Sequence, residues 1–391
     1  MILSCNHPNS FLDAISVALL IKRPVHFLAR SDVFRKPFAR WILHKLKMIP
    51  IYRLQEGMEN IEKNKGTFKL CNEILSKGEV LLIFSEGNCV LEKRLRPLKK
   101  GTARIAFGAA EFCNWKKEIQ IIPVGINYAE PVRFRTELML SFGKKIDWID
   151  LKDVWMKEQA RSIKLFNERV YPKLKENLLI IPSHEKDHVG ECILKLGRNL
   201  FHHKIFSFSF IHSNRLKIEQ SWLQKIFSEN DEKTEDGFKR FEKACHKAGI
   251  PLESARSRLS FSNIFFLVIA FAPALAGIFV HLLPGWLANT LTNRTVKSAK
   301  FKSSVLFGAG ALLTYFFYVI LGIIMWIINF RLLPILILLP FLALISLLWI
   351  EQLQGYRWSI QHRIFQKKHS DVYQQWKTER DQLFGLLQSS Q

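Results

Sequence analysis

Apolar and polar positions along the first 150 residues follow two different periods. An unbroken apolar run of strand length occurs at Val80–Phe84, strand-like segments rich in apolar residues lie at 25–29 and 119–124, and a shorter apolar run, Ile2-Leu3, opens the chain. Between them lie stretches with helical spacing. Residues 33–47 carry apolar side chains at Val33, Phe34, Phe38, Trp41, Ile42 and Leu46. Residues 58–76 carry Ile61, Phe68, Leu70, Ile74 and Leu75, and Gly101–Phe112 reads as a further helix. Strands alternating with helices predict an α/β fold with a mostly parallel sheet flanked by helices. Ligands of such sheets gather at the carboxyl ends of the strands.

Residues 151–260 are more polar and read as a helical extension, with turn signals at Pro182-Ser183 and Gly249-Ile250-Pro251. The charged run 229–237 reads as a solvated loop opening a helix. Three apolar stretches follow, at 264–286, 305–330 and 332–350. Roughly 20 apolar residues cross a bilayer. The first stretch holds Pro273, Gly277, His281 and Pro284 and is expected to be re-entrant or spanning. Only Arg331 separates the other two, which predicts a spanning hairpin. Four regions are therefore expected: an α/β domain at 1–150, the extension at 151–260, a membrane region at 261–350 and a basic tail at 351–391. Arg294, Lys297, Lys300 and Lys302 lie in one loop, and Arg357, Arg363, Lys367 and Lys368 in the tail. The excess of cations places both on the cytoplasmic side, which an even number of crossings satisfies.

Charge narrows the partner. Among 391 residues, 57 Lys and Arg face 34 Asp and Glu, a formal net charge of +23. An anionic partner follows: phospholipid, a phosphorylated substrate or nucleic acid. No zinc-finger spacing, basic zipper or RNA-binding aromatic motif is present, so nucleic acid is not expected. The six cysteines form no CxxC pair and read as reduced thiols. His184, His188, His202 and His203 hint at a metal, but no ligand-spaced carboxylate completes a site in the sequence, and none is expected. The first residues read as a core strand and not as a signal peptide, so a segment upstream of Met1 is expected to be missing.

The chemistry concentrates in Ser4-Cys5-Asn6-His7-Pro8-Asn9-Ser10-Phe11-Leu12-Asp13, read as strand, loop and helix start. His7 in the loop and Asp13 in the first helical turn are able to meet across the bend. A carboxylate holding Nδ1–H leaves Nε2 as a base. Ser10 three residues before Asp13 is also a capping-box-like pattern, in which Asp13 would serve the helix and His7 would be an ordinary loop histidine.

Three further segments follow in order: Ile49-Pro50-Ile51-Tyr52-Arg53; Phe84-Ser85-Glu86-Gly87 with Leu95-Arg96-Pro97-Leu98-Lys99-Lys100-Gly101; and Ile122-Pro123-Val124-Gly125. As an ordered set over residues 2–145 they resemble the glycerophospholipid acyltransferase family, which acylates glycerol-3-phosphate and lysophosphatidate. The resemblance implies that His7 is the general base and that Asp13 orients it. It implies that Arg53 and Lys99 meet the substrate phosphate, that Glu86 and Gly87 shape the acceptor pocket, and that Pro123 with Val124 closes the pocket floor or lines the acyl groove. It implies an acyl-CoA or acyl-ACP donor as co-substrate, a glycerol-3-phosphate or lysophospholipid acceptor, and no cofactor or metal. The place it implies is the cell inner (cytoplasmic) membrane, with catalysis on the cytoplasmic side.

The chain departs from the family pattern. Five residues separate His7 from Asp13, one more than usual, an addition expected to be absorbed at Pro8-Asn9. Ser85, Asn88 and Cys89 replace the proline, threonine and arginine of the third motif, which leaves Arg94 or Arg96 to restore the lost cation. Lys47 stands where the second motif has glycine. Two other readings remain: a membrane-tethered, non-catalytic binder of anionic lipid or nucleic acid, and a thioesterase that uses water as acceptor.

Overall fold

The computed structural model describes residues 1–52, 62–201, 214–228, 232–255 and 261–389. Its first unit comprises Met1–Ile180 together with Ser298–Ser304. The strands are β1 (Ile2–Cys5), β2 (Val25–Arg30), β3 (Met48–Ile51), β4 (Val80–Phe84), β5 (Ile121–Tyr128) and β6 (Leu138–Phe142). Among the described residues they form one six-stranded sheet in the order β3-β2-β4-β1-β5-β6. Every neighbouring pair is parallel except β5 with β6. The helices of this unit are α1 (Ser10–Ala18), α2 (Pro37–Lys45), α3 (Asn64–Ser76), α4 (Gly101–Phe112), α5 (Lys152–Lys157) and α6 (Gln159–Lys175).

β1 lies in the middle of the sheet and is buried on both faces. Successive side chains of a strand point to opposite sides. Ile2 accordingly packs with Leu81, Ile121 and Phe107, while Leu3 and Cys5 pack with Val17 of α1 and Val124. On the α4 side, Phe107 stacks on Trp155 at 4.4 Å and meets Trp148 edge-on at 5.1 Å. Phe166 and Val170 of α6 complete that core. These contacts carry the unit to Ile180, beyond the boundary expected at 150. The sequence marked 151–260 only as a polar helical extension, and the packing of the apolar face of α6 on the sheet became visible in the fold. Gly125 is required where the chain passes close by: a Cβ there would come within 1.9 Å of the Asn177 carbonyl oxygen.

Two strands escaped the sequence pattern. β3 contains Pro50, and β6 is a half-exposed strand whose place is set by antiparallel pairing with β5. The helix expected over 33–47 divides into a 3-10 turn, Ser31–Phe34, and α2. Pro37 supplies the first helical position, and Lys36 before it is extended. The helix expected from 58 is seen from Asn64 onward; residues 58–61 lie outside the described residues.

The second unit comprises Ile181–Lys297 and Val305–Gln391 and is helical. The charged run expected as a loop is already helical from Glu232, in the helix Glu232–Ala248. Trp222, Phe238 and Phe241 are fully buried within this unit. Arg198 and Glu219 form a buried ion pair at 2.8 Å. Among the described residues, three helical segments are long and apolar enough to cross a membrane: Phe271–Thr295, Ala299–Leu332 and Ile335–Lys368. The second of these ends in a 3-10 turn, Phe330–Leu332, at the expected hairpin position before the third begins. Pro273, Gly277 and Pro284 all lie within one helix, Phe271–Thr295. Gly277 lets that helix approach Leu342 and Ser346 of the helix Ile335–Lys368, and Ser346 Oγ donates to the Ala274 carbonyl at 2.8 Å. Small residues and hydroxyl bridges of this kind hold helices together where water is absent.

Candidate active site

β1 and β4 run side by side in parallel with Cys5 opposite Phe84, so the segments that follow them leave the same edge of the sheet. The first carries His7 and the second Glu86. His7 Nδ1 lies 2.8 Å from Asp13 Oδ2. The same oxygen accepts the backbone N–H of Asn9 at 2.7 Å. Asp13 is fully buried, whereas the His7 side chain keeps 16% of its surface open. The Phe84 ring stacks on the imidazole at 3.7 Å and 12°, which fixes the plane of the ring. Carboxylate, imidazole and aromatic face therefore define one orientation of His7, with Nε2 as the ring nitrogen that Asp13 leaves unused.

Burial pushes the Asp13 carboxyl above the usual carboxylate value, while the bonds from His7 and Asn9 act in the opposite sense. Asp13 Oδ1 and the Tyr128 hydroxyl are buried with no hydrogen-bond partner among the described residues. The hydroxyl is nonetheless near enough to favour the ionised carboxylate.

The backbone between His7 and Asp13 departs from regular geometry at Asn9 and Ser10. Asn9 has φ −140° and ψ 46°, and Ser10 adopts φ +50°, in the left-handed region. The distortion lies one residue later than the expected Pro8-Asn9. Three bonds stabilise it. Ser10 N–H donates to Cys89 Sγ at 3.2 Å, Leu12 N–H to Ser304 Oγ at 3.2 Å, and Asn9 Nδ2 to the Pro131 carbonyl at 2.9 Å. Asn9 itself makes no side-chain cap to α1. Cys89 and Ser304 instead satisfy the donors that a helix start leaves open.

Glu86 is buried and neither caps a helix nor faces solvent. Its Oε1 accepts the His7 N–H at 3.2 Å and its Oε2 accepts the Arg96 N–H at 3.1 Å. The carboxylate thus ties the His7 loop to the segment before α4. Burial raises its pKa, and the bonds from Arg96 and His7 oppose the rise. Gly87 has φ +70°, and a Cβ there would touch Lys99 Cγ at 3.0 Å. Ser85, in place of proline, buries its hydroxyl between those of Ser4 at 2.7 Å and Thr102 at 2.9 Å.

The cations are distributed differently from the sequence expectation. Arg53 lies outside the described residues. Lys99 is exposed, and its N–H donates to the Ser85 carbonyl. Arg94 and Arg96 both pair with Glu92, at 3.5 and 3.1 Å, which engages the charge of each. Cys89 is buried and its thiol is pushed up to about 11, chiefly by burial. Lys300 is close enough to draw that value down. Pro123 is buried in β5 opposite Ser4, on the sheet face away from His7: Ile122 and Val124 beside it pack in the α1-side core, and Pro123 meets Gly143. His7, Asp13, Glu86 and Gly87 therefore come together with Lys99 nearby, and Pro123 stands apart from them.

Asn6, Phe84 and Cys89 stood within the quoted motifs but were given no role of their own, and Tyr128 and Ser304 were not singled out in the sequence at all. Asn6 exchanges two bonds with the backbone of Ile126, at 2.9 and 2.8 Å. Motif membership was the signal for Asn6, Phe84 and Cys89, and Tyr128 and Ser304 had none. Elsewhere, His188, Cys192 and Glu242 bring a nitrogen, a sulfur and an oxygen within 4.8 Å of one another. The carboxylate that sequence spacing did not supply comes from a separate helix. His188 and Glu242 form an ion pair at 2.9 Å. His184 pairs with Asp187 at 3.2 Å, and His202 and His203 lie outside the described residues.

Comparison with known proteins points to one family over the N-terminal part of the chain. Residues 1–127 match the acyltransferase family model. The chain is 30% identical over 101 residues to a chloroplastic 1-acyl-sn-glycerol-3-phosphate acyltransferase of Brassica napus, covering 26% of this chain and 27% of the relative. It is 29% identical over 101 residues to one of Arabidopsis thaliana, covering 26% of each. The chain thus spans about a quarter of the length of these curated relatives. No solved structure matches it. The family match thus covers the segment that carries His7, Asp13, Glu86 and Gly87.

Proposed function

We propose that the protein is a membrane-bound O-acyltransferase that moves a fatty acyl group from an acyl thioester to a hydroxyl of glycerol-3-phosphate or a lysophospholipid. The observation that carries this reading is the 2.8 Å contact between a partly open His7 and a fully buried Asp13. Asp13 accepts Nδ1–H and holds the tautomer with a free Nε2 lone pair. Nε2 takes the proton of the acceptor hydroxyl as its oxygen attacks the thioester carbonyl. The imidazolium formed is stabilised by Asp13, and it returns the proton to the departing thiolate. The acceptor thus gains the acyl group and the donor leaves as a free thiol. No acyl-enzyme is needed, so no nucleophilic Ser or Cys is required.

Positive charge supports a phosphorylated acceptor, since a phosphate oxygen is a strong acceptor for charged donors. Lys99 is exposed after the Glu86 loop, and Arg53 would add a paired donor. Lys300 lies near Cys89 and offers a cation from a distant part of the chain. The three apolar helical segments support a membrane location, here the inner membrane with the site on its cytoplasmic face. Acyl-CoA and acyl carrier protein both supply the thioester that the mechanism needs, and no further cofactor enters it.

The test is thioester consumption by full-length protein in detergent across a panel of acceptors. Thiol release should depend on a glycerol-3-phosphate or lysophospholipid acceptor, and acylated lipid should accumulate. His7→Ala should lower turnover by about 10²–10⁴-fold, the usual contribution of a positioned general base. Unaltered turnover in that variant removes His7 from the mechanism, and free fatty acid as the sole product would identify a thioesterase.

A further inference from the structure

α2 leaves the sheet at the carboxyl end of β2, the same edge from which His7 and Glu86 emerge. Its surface is unlike that of an ordinary solvated helix. Phe38 is 74% exposed and Trp41 59% exposed, and the two rings stack on each other with centroids 6.5 Å apart. Val33 before the helix and Leu46 after it are each 46% exposed. Residues 33–47 contain Arg35, Lys36, Arg40, Lys45 and Lys47 and no carboxylate. Arg35, Lys36 and Lys45 are exposed. Arg40 points back and donates to the Phe34 carbonyl at 3.1 Å, and Phe34 is buried. The helix is thus attached through Phe34 and Arg40 and presents aromatic rings and cations together.

Water alone is a poor partner for two neighbouring aromatic rings held at this exposure. Three exposed cations, Arg35, Lys36 and Lys45, on a segment that holds no acid call for a negative counterpart. An anionic bilayer surface answers both demands, because aromatic rings settle at the headgroup level while Lys and Arg meet lipid phosphates. We propose that α2 is an interfacial anchor, with Phe38 and Trp41 entering the headgroup layer of an anionic membrane and Arg35, Lys36 and Lys45 on its phosphates. The strand edge that carries His7 then faces the lipid surface. The anchor is independent of the apolar helices of the second unit, and the proposal does not depend on the acyltransferase reading.

The experiment uses the full chain reconstituted into vesicles. The fluorescence of Trp41 is obtained as the difference between the wild type and Trp41→Phe. Lipids brominated on their acyl chains serve as quenchers, in vesicles rich in phosphatidylglycerol and in vesicles of phosphatidylcholine alone. In the anionic vesicles the Trp41 emission should shift to the blue and be quenched, with much weaker quenching in the zwitterionic ones. Each cation at an anionic surface is worth roughly five-fold in partitioning. Arg35→Glu with Lys36→Glu should therefore abolish most of the quenching. A water-like emission in both lipids overturns the proposal. A blue emission that bromine does not quench also overturns it, since protein and not lipid would then cover the ring. Equal quenching in both lipids overturns the requirement for anionic lipid.

Discussion

Ser304 donates its hydroxyl to the carbonyl of Asn9 at 2.9 Å, joining positions 295 residues apart in the chain. The same oxygen accepts the Leu12 N–H, one residue before Asp13. Next to it, the Ser303 hydroxyl donates to the Pro131 carbonyl, which also receives Asn9 Nδ2. Ser304→Ala leaves the part-buried Leu12 donor without this partner. The expected cost is about 1–2 kcal/mol of stability, the worth of a helix cap. Turnover should fall as well, because the start of α1 carries Asp13. Thermal unfolding and initial rates of the variant measure both effects, and an unaltered midpoint with unaltered turnover refutes them.

Asp13→Asn separates catalysis from stability. Burial holds the folded-state pKa of Asp13 above its unfolded value, so ionising it costs stability. The contribution of this group is most favourable below the unfolded pKa. It declines as pH rises through the interval up to the raised folded value and stays flat above. Asn carries no charge and removes this decline. At neutral pH the variant should equal or exceed the wild type in thermal midpoint while losing most of its turnover. Thermal unfolding of both proteins from about pH 4 to about pH 8 gives the comparison. A variant that unfolds more easily at neutral pH would contradict it.

Glu86→Gln tests the tie between the two loops. Both carboxylate oxygens accept backbone N–H groups, from His7 and from Arg96. An amide offers one acceptor and turns its NH₂ toward the other donor. The loss should be about 1–3 kcal/mol, with a displaced His7 and a lower kcat. Full retention of kcat would mean that the bond to His7 has no bearing on the reaction.

Lys47→Gly is expected to stabilise the fold. Lys47 has φ +57°, where a Cβ costs roughly 1–2 kcal/mol. Glycine gives back part of this through its larger unfolded-state entropy, roughly 0.5–1 kcal/mol. The net gain should be about 0.5–1 kcal/mol in denaturant unfolding, and a destabilised variant would show that the lysine side chain offsets its own strain.

Much of the site was legible because its parts are local. His7 and Asp13 are separated by a single loop, and Glu86 follows an apolar run whose strand character is unmistakable. The departures from the family pattern also have visible physical counterparts. Lys47 stands at a left-handed position, Ser85 is satisfied by Ser4 and Thr102, and Cys89 closes the start of α1. Ser304 was illegible, because hydrogen bonding to a segment some 295 residues away leaves no periodic trace. Phe84 read only as a strand residue, since its stacking on His7 depends on the register of β1 with β4.

Hydrophobic periodicity by itself determined the alternation of strands and helices, the mostly parallel sheet and the three long apolar segments, because each depends on residues close together in sequence. Tertiary structure decided the order of the strands, the extension of the first unit to Ile180, the burial of Asp13 and the cap from Ser304. It also turned Pro123 away from His7. These features depend on which surfaces meet once the chain has folded, and a linear pattern of apolar and polar positions does not encode that choice.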